Sequence, residues 1–349
     1  MKNILLYGAN GYTAQLIIEL MLKSNLKPIL AGRTESKIKP IADKYNLSYR
    51  IFDLNNSTAL NQAIADVEVV LHCAGPYIHT AKPMVEACIQ NTTHYLDITG
   101  EIEVFEMLRQ YDEAAKKAQI MVLPGCGFDV VPTDCLAKYL SRQMPDATHL
   151  SLGFASKGGG LSHGTAMTAI EGLGELGKVR ENGQLVNRPI AHKTQVLEFG
   201  KEFKSYGITI PWGDVATAFY STGIPNVEVF FGVPKSSIRF IQVQSKFNWL
   251  LKTNLVKSLA KAYIKMVDAG PDEKTRSAAK AYVWGRVKNA KGEEIIAYLV
   301  TQETYTLTAI TAVNIVQKVL NRNFKIGFQT PSNAYGADLI MEVPNTFRF

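Results

Sequence analysis

From residue 3 to about 124 the chain alternates short apolar runs with amphipathic stretches. The runs fall at 3–7, 28–32, 48–52, 67–74, 94–98 and 120–123, and between them apolar residues recur at helical spacing near 13–24, 35–46, 57–65, 81–91 and 102–118. A short run that is apolar throughout suits a strand buried on both faces, and strands alternating with helices of this length predict a doubly wound parallel sheet of the α/β class. The runs end on small or polar residues: Gly8, Gly32, Asp53, Gly75, Thr99-Gly100 and Gly125. At the carboxyl ends of parallel strands such residues line one rim, where open α/β sheets bind ligands. After Gly125 the rhythm changes. Strand-like segments at 148–156, 193–199, 226–233, 280–288 and 293–301 follow without a regular helix between each pair, and Asn289-Ala290-Lys291-Gly292 reads as a hairpin turn. That pattern predicts a second, α+β domain with a mostly antiparallel sheet. Helices are expected from about Ser162 to Val179 after Gly158-Gly159-Gly160, from Tyr305 to Leu320, and near Ser332 to Leu339.

The first turn of the chain carries the clearest chemistry. Tyr7-Gly8-Ala9-Asn10-Gly11-Tyr12-Thr13-Ala14 leads from a buried strand into a helix, which presents backbone N–H groups and a positive dipole end to a pyrophosphate. Gly8 is expected to make the tight turn, Gly11 to let the phosphates approach, and Ala14 to let the helix pack on the strand. Asn10, Tyr12 and Thr13 complete this candidate loop. The spacing Gly-x-x-Gly-x-x-Ala departs from Gly-x-Gly-x-x-Gly. The second run ends at Gly32-Arg33-Thr34, where the adenine ribose would lie. An arginine there suits a 2′-phosphate, as an acid would suit a free 2′-hydroxyl. Arg33, with Thr34 and Lys37 as further donors, therefore points to NADP(H). Asp53 stands to meet the adenine edge, and Ala74-Gly75-Pro76 the nicotinamide side.

Composition narrows the class. The net charge of +7 over 349 residues is modest and not gathered into an arginine-rich tract with interleaved aromatics, so no nucleic-acid partner is expected. Four cysteines without a Cys-x-x-Cys pair and six histidines without ligand spacing signal neither a disulfide framework nor a metal site. The apolar part of the N-terminus stops at Gly8, too short for a signal peptide, and a reduced, cytoplasmic protein is expected.

Taken in order, the motifs resemble the saccharopine dehydrogenase-like oxidoreductases, and most closely their trans-acting enoyl reductase branch. They are Gly8-Ala-Asn-Gly-Tyr-Thr-Ala14, Leu30-Ala-Gly-Arg33, Ala74-Gly-Pro-Tyr77, His94-Tyr-Leu-Asp-Ile-Thr-Gly-Glu101, Pro124-Gly-Cys-Gly-Phe-Asp129 with Pro132, Pro211-Trp-Gly-Asp214, Ser221-Thr-Gly-Ile-Pro225 and Gly327-Phe-Gln-Thr-Pro-Ser332. The resemblance implies a Rossmann domain closed by the C-terminal segment, a saccharopine reductase-like second domain, and NADP(H) use. Expected boundaries are 1–130, completed by about 322–349, and 131–321, the latter a substrate and dimerisation domain that would support a homodimer. Where the family has Ala-Thr-Gly, this chain has Ala-Asn-Gly, which the turn should tolerate because Asn accepts left-handed geometry. Branch members are linked to reduction of carbon–carbon double bonds in lipid or polyketide acyl chains. An NADPH-dependent reduction of an enoyl or lipid-type acyl substrate is the expectation. An imine or saccharopine-type reductase, and a non-catalytic NADP(H)-binding regulatory protein, stay open as alternatives.

Reduction by hydride transfer also needs a proton donor. None of the fifteen tyrosines has a lysine four residues on, which argues against a short-chain reductase. Candidate catalytic residues are Tyr77 beside the nicotinamide-side loop, Asp129 past the sixth strand, and His163 after the triple glycine. Cys126, Gly127 and Phe128 are candidate cofactor neighbours, with Cys126 a small apolar wall and not a nucleophile. A saccharopine-type substrate would need clustered arginines, yet residues 150–240 hold only Arg180, Arg188 and Arg239. Finally, on a helix over 246–267, Leu251, Leu255, Leu259, Tyr263 and Met266 share one side and Lys257, Lys261 and Lys265 the other. The ordinary expectation is an apolar stripe facing the core; the alternative is weak peripheral contact with a membrane.

Overall fold

The computed structural model describes residues 3–201, 203–244, 247–264 and 270–349. Elements follow in chain order. The first stretch runs β1 (Asn3–Tyr7), α1 (Tyr12–Lys23), β2 (Ile29–Gly32), α2 (Glu35–Tyr45), β3 (Tyr49–Ile51), α3 (Ser57–Ile64), β4 (Val67–His72), α4 (Tyr77–Gln90), β5 (His94–Asp97), α5 (Ile102–Arg109), α6 (Asp112–Lys117) and β6 (Met121–Leu123). Then come α7 (Val131–Gln143), β7 (Ala147–Lys157), α8 (His163–Glu171), β8 (Gly177–Glu181), β9 (Gln184–Arg188), β10 (Thr194–Phe199), β11 (Phe203–Thr209), α9 (Asp214–Thr222) and β12 (Asn226–Val233). The remainder is α10 (Lys235–Gln244), α11 (Asn248–Leu251), α12 (Asn254–Ile264), α13 (Glu273–Ala278), β13 (Lys280–Asn289), β14 (Glu294–Gln302), α14 (Thr304–Leu320), β15 (Gly327–Phe328), α15 (Pro331–Tyr335) and β16 (Phe347–Arg348). They divide into two units, Met1–Asp129 with Tyr305–Ala334, and Val130–Thr304 with Tyr335–Phe349.

The first unit is the expected doubly wound sheet. Its seven strands are all parallel in the order β15-β6-β5-β4-β1-β2-β3. Leu5, Leu6, Leu30, Val69, Val70 and Leu71 are fully buried between helices on both faces, which is why these strands read as unbroken apolar runs. The order reverses between β1 and β4, so the ligand crevice of such a sheet opens where their carboxyl ends meet. Gly32 makes room for packing. A Cβ there would come within 2.7 Å of Ile38 Cδ1, the side chain that seats α2 on the sheet.

The second unit is α+β. Its sheet runs β10-β11-β12-β7-β13-β14-β16, with β8 and β9 attached as a hairpin; among the described residues only β7 and β12 pair in parallel. Leu197, Phe199, Phe230, Tyr282 and Trp284 pack one face, while α7 covers another part through Leu136 and Leu140, which press on bare Gly285.

Three sequence expectations are corrected. The sequence puts the returning segment at 322–349 on the first unit, yet 305–334 joins that unit and 335–349 joins the second, where β16 pairs with β14. The helix after the triple glycine stops at Glu171, because Gly172 and Gly174 follow and Gly174 takes a positive φ of 80°. In place of its second half stands β8, whose Arg180 is buried beneath the Phe219 ring and donates to Val215 O and Gly183 O. β9 and β11 were likewise not anticipated.

Candidate functional site

Two loops meet at the sheet's reversal point. β1 ends at Tyr7, and Gly8 turns the chain at φ +86°. The Gly8 and Ala9 N–H groups both donate to Ala31 O, at 2.8 and 3.2 Å, tying the turn to β2. A Cβ on Gly8 would lie 2.8 Å from Ala74 Cβ and 2.9 Å from Ala74 N, so the loop after β4 rests on the missing side chain. Asn10 is exposed and is not among the positive-φ residues; the left-handed position the turn needs falls on Gly8 instead. Gly11 is the N-cap of α1 with an ordinary φ of −69°, and it contributes no side-chain acceptor to the helix end. A Cβ on Gly11 would face the turn itself, 3.2 Å from Gly8 O. Tyr12 and Thr13 are partly exposed and Ala14 is buried. A helix start without a side-chain cap, approached over glycines, is a cradle for a phosphate group.

At the end of β2 Arg33, Thr34 and Lys37 are all exposed around the start of α2. Asp53 follows β3 half-buried, with Oδ1 accepting from Asn55 N at 2.8 Å. Burial lifts the Tyr7 hydroxyl to about 12, with the Asp53 charge adding to the shift and Arg33 opposing it. The two groups assigned to the adenosine end therefore converge on Tyr7.

On the other side lies a cluster of acids. Ala74, Gly75 and Pro76 remain accessible along the rim. α4 begins at Tyr77, four residues earlier than periodicity suggested, because Glu101 caps it from another element: its two carboxylate oxygens accept from Tyr77 N and Ile78 N, each at 2.8 Å. Burial raises the Glu101 carboxyl despite these bonds. Asp97, at the end of β5, accepts from Tyr95 OH at 2.7 Å and from Thr99 N and Gly125 N at 2.9 Å. Burial outweighs those donors and lifts it to about 7. Asp129 is lifted to about 7 as well, first by burial and then by the Glu101 charge. Its carboxyl sits over Gly100, where a Cβ would meet Oδ2 at 2.7 Å.

The three catalytic candidates fare differently. Tyr77 is buried, and its hydroxyl donates to His72 O at 3.3 Å, so the ring braces the loop. His72 beneath it is fully buried, and desolvation holds its imidazole down at about 3. Asp129 stays at the rim of the first unit. His163 opens α8 in the second unit, behind Ser162, whose Oγ accepts from Thr165 N. Cys126 is fully buried with Sγ on Leu123 O, so its side chain supports the loop and does not wall the rim. Burial pushes its thiol far above the ordinary range, as befits an inert cysteine. Gly127 and Phe128 are buried under α14: Phe128 N donates to Thr308 Oγ1 at 3.0 Å, and Thr311 Oγ1 donates to Cys126 O at 2.6 Å. Thr308, Thr311 and Tyr305, whose ring meets Tyr12 edge-on at 5.1 Å, were not singled out in the sequence. Their spacing reads only as an apolar helix. A cavity of about 650 Å³ opens at the opposite, amino ends of the strands, between Asn3, Glu68, His94 and Arg322, away from the ligand rim.

Residues 4–123 match the family model described as the saccharopine dehydrogenase NADP binding domain. Over that span the first unit resembles the NADP-binding domain of saccharopine dehydrogenase. Its cradle fits that cofactor: Gly8, the uncapped α1 start and exposed Arg33 are the groups a 2′-phosphorylated dinucleotide needs. A saccharopine dehydrogenase-like oxidoreductase of Mus musculus is 28% identical over 246 residues, covering 61% of this chain and 57% of that protein. A lipid droplet localized protein of Caenorhabditis elegans is 28% identical over 203 residues, covering 51% of this chain and 48% of its own length. A trans-acting enoyl reductase of Mycobacterium ulcerans is 28% identical over a shorter 148 residues, 40% of this chain and 35% of that one. The matches thus span less than two thirds of each relative. Across 98% of this chain the fold follows apo saccharopine dehydrogenase (L-Glu forming) of Saccharomyces cerevisiae, 96% of which is covered, with a TM-score of 0.70 at 14% identity. The saccharopine dehydrogenase-like resemblance therefore holds. The cytoplasmic expectation does not stand, since a relative similar over half the chain is named for lipid droplets.

Proposed function

We propose that this chain is an NADPH-dependent oxidoreductase that reduces a carbon–carbon double bond in an enoyl or lipid-type acyl substrate. The observation that carries the reading is Asp129, a carboxyl seated over Gly100 at the rim beside the nicotinamide-side loop and raised by burial to about 7. Gly8 and the α1 N-terminus would hold the pyrophosphate, Arg33, Thr34 and Lys37 the 2′-phosphate, and Ala74-Gly75-Pro76 would leave room for the ring. NADPH, when bound, would supply the hydride to one carbon of the double bond. Asp129 would give its Oδ proton to the other carbon and be reprotonated from solvent, which balances the reduction. Glu101, fixed by two backbone donors, keeps negative charge beside Asp129 and so favours its protonated state.

Two arginines argue against a substrate with several carboxylates. Arg180 is buried against Phe219, and Arg188 is committed to Glu181 at 2.6 Å. The named mycobacterial relative supports the enoyl reading over part of the chain. The test is NADPH oxidation by the intact protein against enoyl thioesters, imines and ketones. Turnover of enoyl thioesters alone supports the proposal, and imine turnover transfers it to a saccharopine-type reductase. NADPH binding with no acceptor consumed points to a regulatory protein.

A further inference from the structure

The helices α10, α11 and α12 of the second unit all leave large apolar side chains exposed, and α12 is inverted with respect to an ordinary surface helix. α12 turns its cations inward: Lys257 Nζ donates to Glu171 O at 2.7 Å and Lys261 Nζ pairs with Glu171 Oε1 at 2.6 Å. Its apolar stripe faces outward, with Leu255, Leu259 and Tyr263 exposed to 71%, 63% and 68%. This reverses the ordinary expectation that the stripe faces the core. Lys265 and Met266, also assigned to this helix, lie outside the described residues. Large exposed apolar residues continue upstream. α10 buries Ile238 and Ile241 against Ile208 and Val233, yet leaves Phe240 and Val243 exposed. Trp249 of α11 is 72% exposed, with Phe247 and Leu250 beside it. Isolated exposed apolar residues need no explanation, but a run of large ones on successive helices does.

Charge narrows what could cover this face. Residues 229–267 contain no acid and seven cations, Lys235, Arg239, Lys246, Lys252, Lys257, Lys261 and Lys265, equal to the whole chain's net charge of +7. Glu175 and Glu171 reach in to pair with Lys252 and Lys261; Lys235 and Arg239 stay exposed beside Phe240. A second copy of the same face would bring like charge against like. An anionic phospholipid surface instead accepts aromatic and aliphatic side chains at its boundary and gains from a basic surround. Among the described residues no helix is long and apolar enough to cross a bilayer, so contact would be peripheral. We propose that α10, α11 and α12 present a lipid-docking face by which this protein rests on anionic phospholipid. The inference is independent of the substrate assigned above.

The test is co-sedimentation of the full chain with vesicles of phosphatidylcholine, alone or with phosphatidylserine, at low and high salt. Binding is expected to the anionic vesicles, to weaken with salt, and to blue-shift the emission of Trp249. The variant Trp249→Ser/Leu255→Ser/Leu259→Ser changes exposed positions only and should bind NADPH like the parent while losing about tenfold or more in vesicle partitioning. Lys235→Glu/Arg239→Glu should lose the preference for phosphatidylserine. A parent that stays in the supernatant with anionic vesicles overturns the proposal. So does a serine variant that binds vesicles undiminished, or one whose only change is a smaller oligomer in light scattering, which would make the face a protein interface.

Discussion

Asp129 lies directly over the bare Cα of Gly100: a methyl group built there would stand 2.7 Å from Oδ2 and 2.9 Å from Cβ of the aspartate. Gly100 has no positive φ to demand glycine, so the carboxyl is what excludes a side chain. Gly100→Ala should displace Asp129 at a cost of about 1–3 kcal/mol and depress turnover more than NADPH affinity. Parallel titration of NADPH binding and measurement of kcat separate the two effects.

The pH dependence follows from the same carboxyl. With Asp129 titrating near 7, kcat/KM should fall as pH rises through about 7, and Asp129→Asn should remove that limb together with most of the activity. Stability has its own sign. A carboxyl raised on folding keeps its proton while the unfolded chain has already lost it. Each of Asp129 and Asp97 therefore makes the folded state less stable as pH climbs from the ordinary aspartate range near 4 to about 7, beyond which the penalty is constant. Denaturant midpoints of the parent should decline across that interval more steeply than those of Asp129→Asn.

Arg33→Ala should weaken NADPH binding about tenfold or more, about 1.4 kcal/mol, and leave NADH binding nearly unchanged. Isothermal titration with both cofactors is decisive, because equal losses for the two would place Arg33 away from the 2′-phosphate.

Gly8→Ala meets two obstacles at once, a φ of +86° and the Ala74 backbone at 2.9 Å. It should cost about 2 kcal/mol or more and abolish the thermal shift that NADPH gives the parent. Gly11→Ala, at an ordinary φ of −69°, should be milder.

Glu101→Ala strips both acceptors from the start of α4 and should cost about 1–3 kcal/mol. The change should show as a lower urea midpoint at unchanged slope. Because the charge beside Asp129 also disappears, the pH limb of turnover should move to lower pH.

The parallel sheet was legible because each strand is a short apolar run stopped by a small or polar residue, and Leu5, Leu30 and Val70 had no other place to go. The start of α4 was not. Its N-terminal acceptor, Glu101, lies on another element, so local periodicity could not anticipate it. β8 escaped for a related reason: Arg180 looks like a solvated charge until Val215 O and Gly183 O are seen to receive it. Periodicity located the stripe Leu255, Leu259, Tyr263 but carries no information on which side has a neighbour. Glu171, which decided the matter, lies far upstream. At the candidate site the glycine turn and Arg33 were readable as local chemistry, whereas the raised carboxyls of Asp97 and Asp129 are products of burial and had no signature in their spacing.

The seventh strand of the first sheet has a consequence for synthesis. β15 comes from residues 327 and 328, yet its partner β6 is finished at Leu123, and the intervening chain builds most of another unit. A nascent chain on the ribosome therefore holds the first six strands with β6 lacking this partner until residues 327–328 have emerged. Such edges recruit foreign strands, and long-range pairing is slow to form. A product truncated before Gly327 would leave β6 without this partner, an edge open to chaperone capture or aggregation.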